Sequence, residues 1–206
     1  MNRVVVLVSG SGTNLQSIID NVNSGYLNID IAAVISDRPG AYALERARLN
    51  GIEAICIPRK ELGKQNFDRK LLETVEAFKP DLVVLAGFLT ILSSEFVERF
   101  QGKIINIHPS LIPSFCGKGY YGERVHKAAI DYGVKVSGCT VHFVDAGTDT
   151  GPIIFQQAVE VKDDDTPETL ARRILEHEHR LLPKAIKYFF EGRLKIRGRK
   201  VYISQS

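Results

Sequence analysis

Asn106 and His108 stand two residues apart at the end of an apolar run, and Pro109 follows them. In a strand, alternate side chains share a face, so the carboxamide and the imidazole can aim at one point. A carboxamide N–H stabilises a developing oxyanion, and an imidazole moves a proton near neutral pH. Proline lacks the N–H that a ladder needs and stops the strand there. Taken alone, the pair fits equally well a satisfied buried histidine beside a turn. The catalytic reading needs a partner for the imidazole, and Asp149 is the candidate. It lies in the polar stretch Asp145–Gly151 between two later strands. A carboxylate beside an imidazole raises its pKa and fixes its tautomer. The same stretch also reads as a plain hairpin connection with solvated carboxylates. As a calcium loop it lacks the ligand spacing and downstream glutamate of an EF-hand.

The elements that must position these groups alternate between strand and helix. Val4–Val8 is a continuous, mostly β-branched run, the mark of a strand covered on both faces. A glycine turn and a helix from Asn14 follow, with Leu15, Ile18, Ile19 and Val22 on one stripe. Further strands are expected at Ile31–Ile35, Ile52–Ile57, Leu82–Leu85 and Ile104–Ile107, with helices at Ala41–Leu49 and Phe67–Phe78. Beyond these, Val134–Val144 and Pro152–Val161 read as longer, more alternating strands. Thr166 and Pro167 open a helix that runs to Phe190. Arg193–Ile203 reads as a short hairpin around Arg197-Gly198-Arg199. Repeated βα units predict an α/β fold with a mostly parallel central sheet, helices on both faces and a mixed later part. The chain is expected to form a single domain over residues 1–206.

Two more constellations bear on chemistry. The first turn, Ser9-Gly10-Ser11-Gly12-Thr13-Asn14, leads into a helix whose opening amides and dipole favour an anion. Leu15 occupies the last position of a G-x-G-x-x-G pattern, and no Walker Lys-Ser/Thr pair follows, so a single phosphomonoester fits best. A turn that merely packs is the plainer alternative. The run Leu85–Leu92 is unusually apolar for a strand-to-helix connection. It can cap the core or wall a pocket for a flat heterocycle.

Composition narrows the class. The chain has 206 residues, 44% hydrophobic and 25% charged, with a net charge of +3. Those figures suit a globular α/β protein with a sizeable core. The mild positive charge fits small anionic ligands and does not argue for nucleic acid. The basic tail (Arg193, Lys195, Arg197, Arg199, Lys200) reads as the solvated face of an edge hairpin. Cys56, Cys116 and Cys139 are scattered, which points to reduced thiols and a cytoplasmic protein. Cys116 lies near His108, but no nucleophile pattern surrounds it. His177 and His179 show no metal-ligand spacing, so no metal is expected. No signal peptide or membrane span is expected either.

Together these motifs resemble the phosphoribosylglycinamide formyltransferases of purine biosynthesis, along nearly the whole chain. The resemblance rests on Val-Leu-Val-Ser-Gly-Ser-Gly-Thr-Asn-Leu at the start, Val-Leu-Ala-Gly-Phe at 84–88 and Asn-Ile-His-Pro-Ser-Leu-Ile-Pro at 106–113. Val-His-Phe-Val and Asp-Thr-Gly-Pro within 141–152 complete it. It implies a Rossmann-like formyltransferase fold, 10-formyltetrahydrofolate as co-substrate and 5-phosphoribosylglycinamide as acceptor. It implies Asn106, His108 and Asp149 as catalytic residues. The acceptor's phosphate would sit on Gly12, Thr13 and Asn14, with Glu178 on the ribose. Folate would contact Lys64, Leu89, Thr90, Ile91, Leu92, Asn106, Asp145, Ala146, Gly147, Thr148 and Asp149. Lys64 stands where some relatives carry arginine and offers a point charge instead of a fork. The segment Ser114–Val125 is longer than in some members and suits a lid. Small molecules are the expected partners, without nucleic acid or membrane, and a homodimer is compatible. Two relatives of this fold remain as rival readings. Formyltetrahydrofolate hydrolase usually has an extra amino-terminal domain, and methionyl-tRNA formyltransferase has a carboxyl-terminal RNA-binding domain. A non-catalytic nucleotide-binding module using only the glycine turn is the reading from another class.

Overall fold

The computed structural model describes residues 2–205, and the chain forms two compact units that meet between Ile105 and Asn106. The fold is mixed α/β with a mostly parallel sheet. In the first unit β1 (Asn2–Val8), β2 (Ile29–Ser36), β3 (Ala54–Cys56) and β4 (Leu82–Leu85) are ordered β3-β2-β1-β4, all parallel. Val4 to Val8 are fully buried, as a continuous apolar run requires when both faces are covered. The connections are α1 (Thr13–Asn23), α2 (Tyr42–Leu49), α3 (Arg59–Ala77) and α4 (Ser94–Arg99). In register, Leu7 lies beside Leu85, so the loops after β1 and β4 leave the sheet at the same end.

Strand β5 (Ile104–His108) crosses the division and carries Asn106 and His108 into the second unit. There α5 (Glu123–Tyr132) precedes β6 (Val136–Phe143) and β7 (Ile153–Glu160), an antiparallel pair. Helix α6 (Pro167–Phe190) and the hairpin β8 (Leu194–Arg197) and β9 (Lys200–Ile203) follow. Helix α6 has the expected bounds and is opened by a reciprocal Thr166–Thr169 capping box with Pro167 in the first turn.

The structure departs from expectation in three places. Helix α3 begins at Arg59, well before Phe67, and breaks at Gly63 (φ 71°). Its first turn, Arg59-Lys60-Glu61, carries no apolar stripe to announce it. Helices α4 and α5 are additional. The first is too short to show periodicity, although Ser93 caps it by accepting from the Phe96 amide (3.2 Å). The second grows out of the glycine-rich stretch, so the expected lid segment 114–125 ends in helical residues. Strand β6 is buried from Ser137 onward rather than alternating.

The start of α6 is pinned by ionic hydrogen bonds. The Arg173 guanidinium donates to both Asp165 carboxylate oxygens (Nη1 to Oδ1, 2.6 Å) and to the Glu160 carbonyl (2.8 Å). The end of β7 is thereby tied to the helix. The guanidinium holds the Asp165 carboxyl well below the usual carboxylate range. A depressed carboxylate pKa stabilises the fold above its unfolded value of about 3.9, and that contribution is lost as pH falls. Arg173→Met should therefore cost about 1–2 kcal/mol in urea unfolding at pH 7, with part of the guanidinium screened by water. The gap to the parent chain should shrink progressively below about pH 4; an equal gap at all pH values would contradict this account.

Candidate active site

Asn106 and His108 point to one side of β5, as their spacing requires, and meet a second pair of groups from β6 and the loop after it. His142 is buried at the end of β6, where the pairing with β7 shifts register between Val141 and His142. Such a bulge re-aims the side chain that follows it. His142 Nδ1 lies 2.8 Å from the Phe143 carbonyl, which can only accept, so this nitrogen carries the proton. Burial keeps the ring neutral by pushing its pKa down, outweighing the Phe143 carbonyl and Asp149, which pull it up. Nε2 therefore offers a lone pair. Asn106 Nδ2 stands 3.1 Å from it and donates. This bond sets the orientation of the Asn106 amide and leaves its second N–H for another acceptor.

His108 is also buried. Its Nε2 donates to the Phe115 carbonyl at 2.9 Å, and its Nδ1 faces Asp149 Oδ2 at 3.6 Å. Asp149 Oδ1 is 3.8 Å from His142 Nε2, and Oδ2 accepts from the Gly117 amide at 3.0 Å. The carboxylate thus sits between two imidazoles and is held by a backbone N–H. Both loop residues that shape this cluster have left-handed backbones, Phe115 (φ 48°) and Asp149 (φ 57°). Asp tolerates that region; Phe rarely adopts it and is held there by the bonds around it. Ser110 Oγ donates to the Ser114 carbonyl (2.6 Å) and fastens the same turn.

The loop that carries Asp149 is tightly built. Asp145 Oδ1 accepts from the Gly147 amide (3.1 Å) and from the Thr150 hydroxyl. The Phe143 amide donates to the Pro152 carbonyl across the neck (2.9 Å). A Cβ on Gly151 would stand 1.7 Å from the Phe143 carbonyl oxygen, so only glycine fits there. Ala146 and Thr148 share this loop. Glu178 is buried on α6; burial, then the Glu178 charge, push the Cys139 thiol up to about 12. Cys116 is a poor nucleophile. Its thiol donates to the Pro113 carbonyl (3.3 Å), and burial, then Asp149, push its pKa up.

The first unit holds the remaining candidates. Gly12 caps α1 in a left-handed conformation (φ 74°), with no side-chain bond to the opening amides. A Cβ on Gly12 would lie 2.6 Å from Ala43 Cβ, so close packing on α2 also demands glycine. Arg46 braces the turn through the Ser11 carbonyl (2.8 Å). Thr13 and Asn14 form the first turn of α1. The Ser9 hydroxyl accepts from the Leu89 amide (2.9 Å), and buried Asp37 accepts from Thr90 Oγ1 (2.7 Å). The glycine turn and the apolar loop are thereby brought together. Leu89 and Ile91 are exposed while Thr90 is buried and Leu92 half-buried, so the loop turns apolar side chains outward. Lys64 is largely exposed and donates to Asp68 (2.6 Å) across one helical turn.

Sequence reasoning missed His142, Phe115, Ser9 and Asp37. For His142 a signal existed, a lone imidazole in an otherwise apolar strand leading into the aspartate loop. Phe115 and Gly117 act through backbone atoms, which side-chain identity does not disclose. Among the described residues, no group of three or more histidine, cysteine, aspartate or glutamate side chains is arranged to hold a metal ion. None of the described helices is long and apolar enough to cross a membrane.

An α/β fold with an amide, an imidazole and a carboxylate gathered at a strand end has the make-up of a group-transfer enzyme. This chain belongs to the formyl transferase family, whose model matches residues 2–186, across both units and short of the β8–β9 hairpin. It is 43% identical over 195 residues to the trifunctional purine biosynthetic protein adenosine-3 of Gallus gallus, matching 94% of this chain. The chain spans only 19% of that relative's length. The phosphoribosylglycinamide formyltransferase of Haemophilus influenzae is 39% identical, with 98% of this chain and 94% of the relative covered. The crystal structure of glycinamide ribonucleotide transformylase 1 from Symbiobacterium toebii superposes with a TM-score of 0.93. It is 49% identical, covering 100% of this chain and 95% of the other. Within the family, the chain groups with the phosphoribosylglycinamide formyltransferases.

A third histidine neighbours the cluster. His126 is buried on the first turn of α5, and burial, then the nearby His108 ring, push its pKa down to about 4. Below about pH 6.5 the unfolded chain binds a proton here that the folded chain refuses. Folding stability should therefore fall as pH drops from about 6.5 towards 4. His126→Gln should flatten that decline in urea titrations at pH 7, 6 and 5; an unchanged slope would contradict it.

Proposed function

We propose that this chain transfers the formyl group of 10-formyltetrahydrofolate to the amine of 5-phosphoribosylglycinamide. The products are formylglycinamide ribonucleotide and tetrahydrofolate, a step of de novo purine biosynthesis. The observation that carries the reading is the Asn106 amide, oriented by neutral His142 so that one N–H stays available beside His108 and Asp149. The amine nitrogen attacks the formyl carbon, a C–N bond forms, and the carbonyl oxygen takes up negative charge. Asn106 donates its second N–H to that oxygen. His108 takes part in moving the amine proton and, when charged, adds to the stabilisation of the oxygen. Asp149 holds the imidazole through its Nδ1 edge. The bond from the formyl carbon to N10 of the folate then breaks, and the proton given up by the amine ends on N10. No metal takes part in this reading, because amine attack on an activated formyl lies within reach of positioning and proton transfer.

The remaining assignments follow the chemistry of each region. The acceptor's phosphate rests on Gly12, Thr13 and Asn14, a reading supported by the start of α1, where Gly12 brings no capping side chain. Glu178 takes the ribose hydroxyls. Leu89, Thr90, Ile91 and Leu92 flank the pterin, a role suited to outward apolar side chains. Asp145, Ala146, Gly147, Thr148 and Asp149 contact it through the short loop, and Lys64 adds a point charge. The two units would work as one catalytic domain in the cytoplasm, where the three free cysteines stay reduced, with a homodimer as the candidate assembly.

Asn106→Ala should lower kcat by about 10²–10³, the usual loss of one oxyanion donor. His108→Ala should lower it by about 10²–10⁴. Both are read as folate product formed with and without 5-phosphoribosylglycinamide. Near-normal rates in both variants would overturn the assignment. Folate product formed equally well without the acceptor would make the enzyme a hydrolase.

A further inference from the structure

The basic carboxyl-terminal hairpin lies beyond the residues that the family model matches, and its strands are largely exposed. A two-stranded hairpin with little core is marginal unless something ties it down. Here it is tied at both ends. At its base, the Arg193 guanidinium stacks on the Tyr188 ring of α6, 3.7 Å from the centroid, and Nε donates to the Ser204 carbonyl (3.0 Å). The Arg193 amide donates to the Tyr188 carbonyl (3.0 Å), and the Ser204 amide returns to the Arg193 carbonyl (2.9 Å).

The tip is the turn Gly198-Arg199, closed by the Arg197–Lys200 pair. Arg199 Nη2 donates to the Thr150 carbonyl at 3.0 Å. Thr150 is the residue after Asp149, and its hydroxyl already closes the loop onto Asp145. One step further along, Lys200 pairs with Ile153 where β9 meets β7. The hairpin is therefore a strut from the end of α6 to the loop that carries Asp149.

We propose that Arg199 is a positioning residue for formyl transfer: by clamping the Thr150 carbonyl from the hairpin tip, it fixes the loop that aims Asp149 at His108. The proposal rests on the assignment of Asp149 above. Asp149 itself has a left-handed backbone, and its carboxylate stands 3.6 Å from His108 and 3.8 Å from His142. Small shifts of the loop change both distances together. A single guanidinium N–H reaches the Thr150 carbonyl, a bond that a lysine ammonium can also make.

The test is steady-state kinetics on the full chain, with a double-mutant cycle. Arg199→Met should lower kcat roughly threefold to tenfold, the range for one exposed charged donor, with the KM for 5-phosphoribosylglycinamide unchanged. Arg199→Lys should recover most of the loss, and Arg197→Met, on the same hairpin, should leave kcat as it was. In an Asp149→Asn background, Arg199→Met should cost nothing further. Hydrogen exchange at the Gly117 amide, which is bonded to Asp149, should quicken in Arg199→Met. An unaltered kcat in Arg199→Met, or the same fold loss in the Asp149→Asn background, overturns the proposal. If Asp149→Asn itself keeps the full rate, the assignment of Asp149 falls and this proposal with it. A crippled Asp149→Asn beside an unaffected Arg199→Met overturns only the role of Arg199.

Discussion

The candidate site depends on burying two imidazoles, His108 and His142, at the ends of β5 and β6 without leaving them unpaired. Unsatisfied polar groups in such surroundings are costly, so each must find a partner. The backbone supplies most of them. The Phe143 carbonyl takes the His142 proton, the Phe115 carbonyl takes a His108 proton, and the Gly117 amide meets Asp149. Each of these bonds also settles an orientation. The tautomer of His142 follows from the Phe143 carbonyl, the direction of the Asn106 amide follows from that tautomer, and one amide N–H is left over. The geometry of the candidate site and hydrogen-bond satisfaction are thus the same constraint.

Burial acts in the same way on two histidines near the site. His126 and His142 are both driven towards the neutral form, and in both the dominant cause is loss of solvent. A neutral His142 can accept from Asn106, which an imidazolium could not do. The Nδ1 edge of His108 faces a carboxylate held by a backbone amide. The same surroundings raise the Cys116 and Cys139 thiols, which removes them as competing nucleophiles.

Much of the architecture was legible in residue patterns. The Val4–Val8 run, the cap at Thr166 and the turn at Gly198 each have a local cause, and the structure places β1, α6 and the terminal hairpin there. Local causes failed where an element has no periodicity to show. Helix α4 is one short turn and a half between polar residues, the first turn of α3 is charged throughout, and α5 follows a glycine-rich run. Strand β6 looked alternating because Thr140 and His142 are polar. Both are buried in the structure, and both are hydrogen-bonded.

For the candidate site, residue type and spacing nominated Asn106, His108 and Asp149 beside plainer readings, because i and i+2 on a strand must share a face and an imidazole in a site needs an acid, and the family resemblance chose among those readings. Sequence alone therefore determined which side chains have the right chemistry and the class of fold that carries them. Tertiary structure decided how they are held. The bulge that turns His142 onto Asn106 and the Arg199 clamp on the Thr150 carbonyl depend on contacts between segments far apart in the chain, and the Phe115 carbonyl reaches His108 through the local turn that follows β5. Two of those three contacts end on backbone atoms, which every residue carries alike, so no residue pattern reports them.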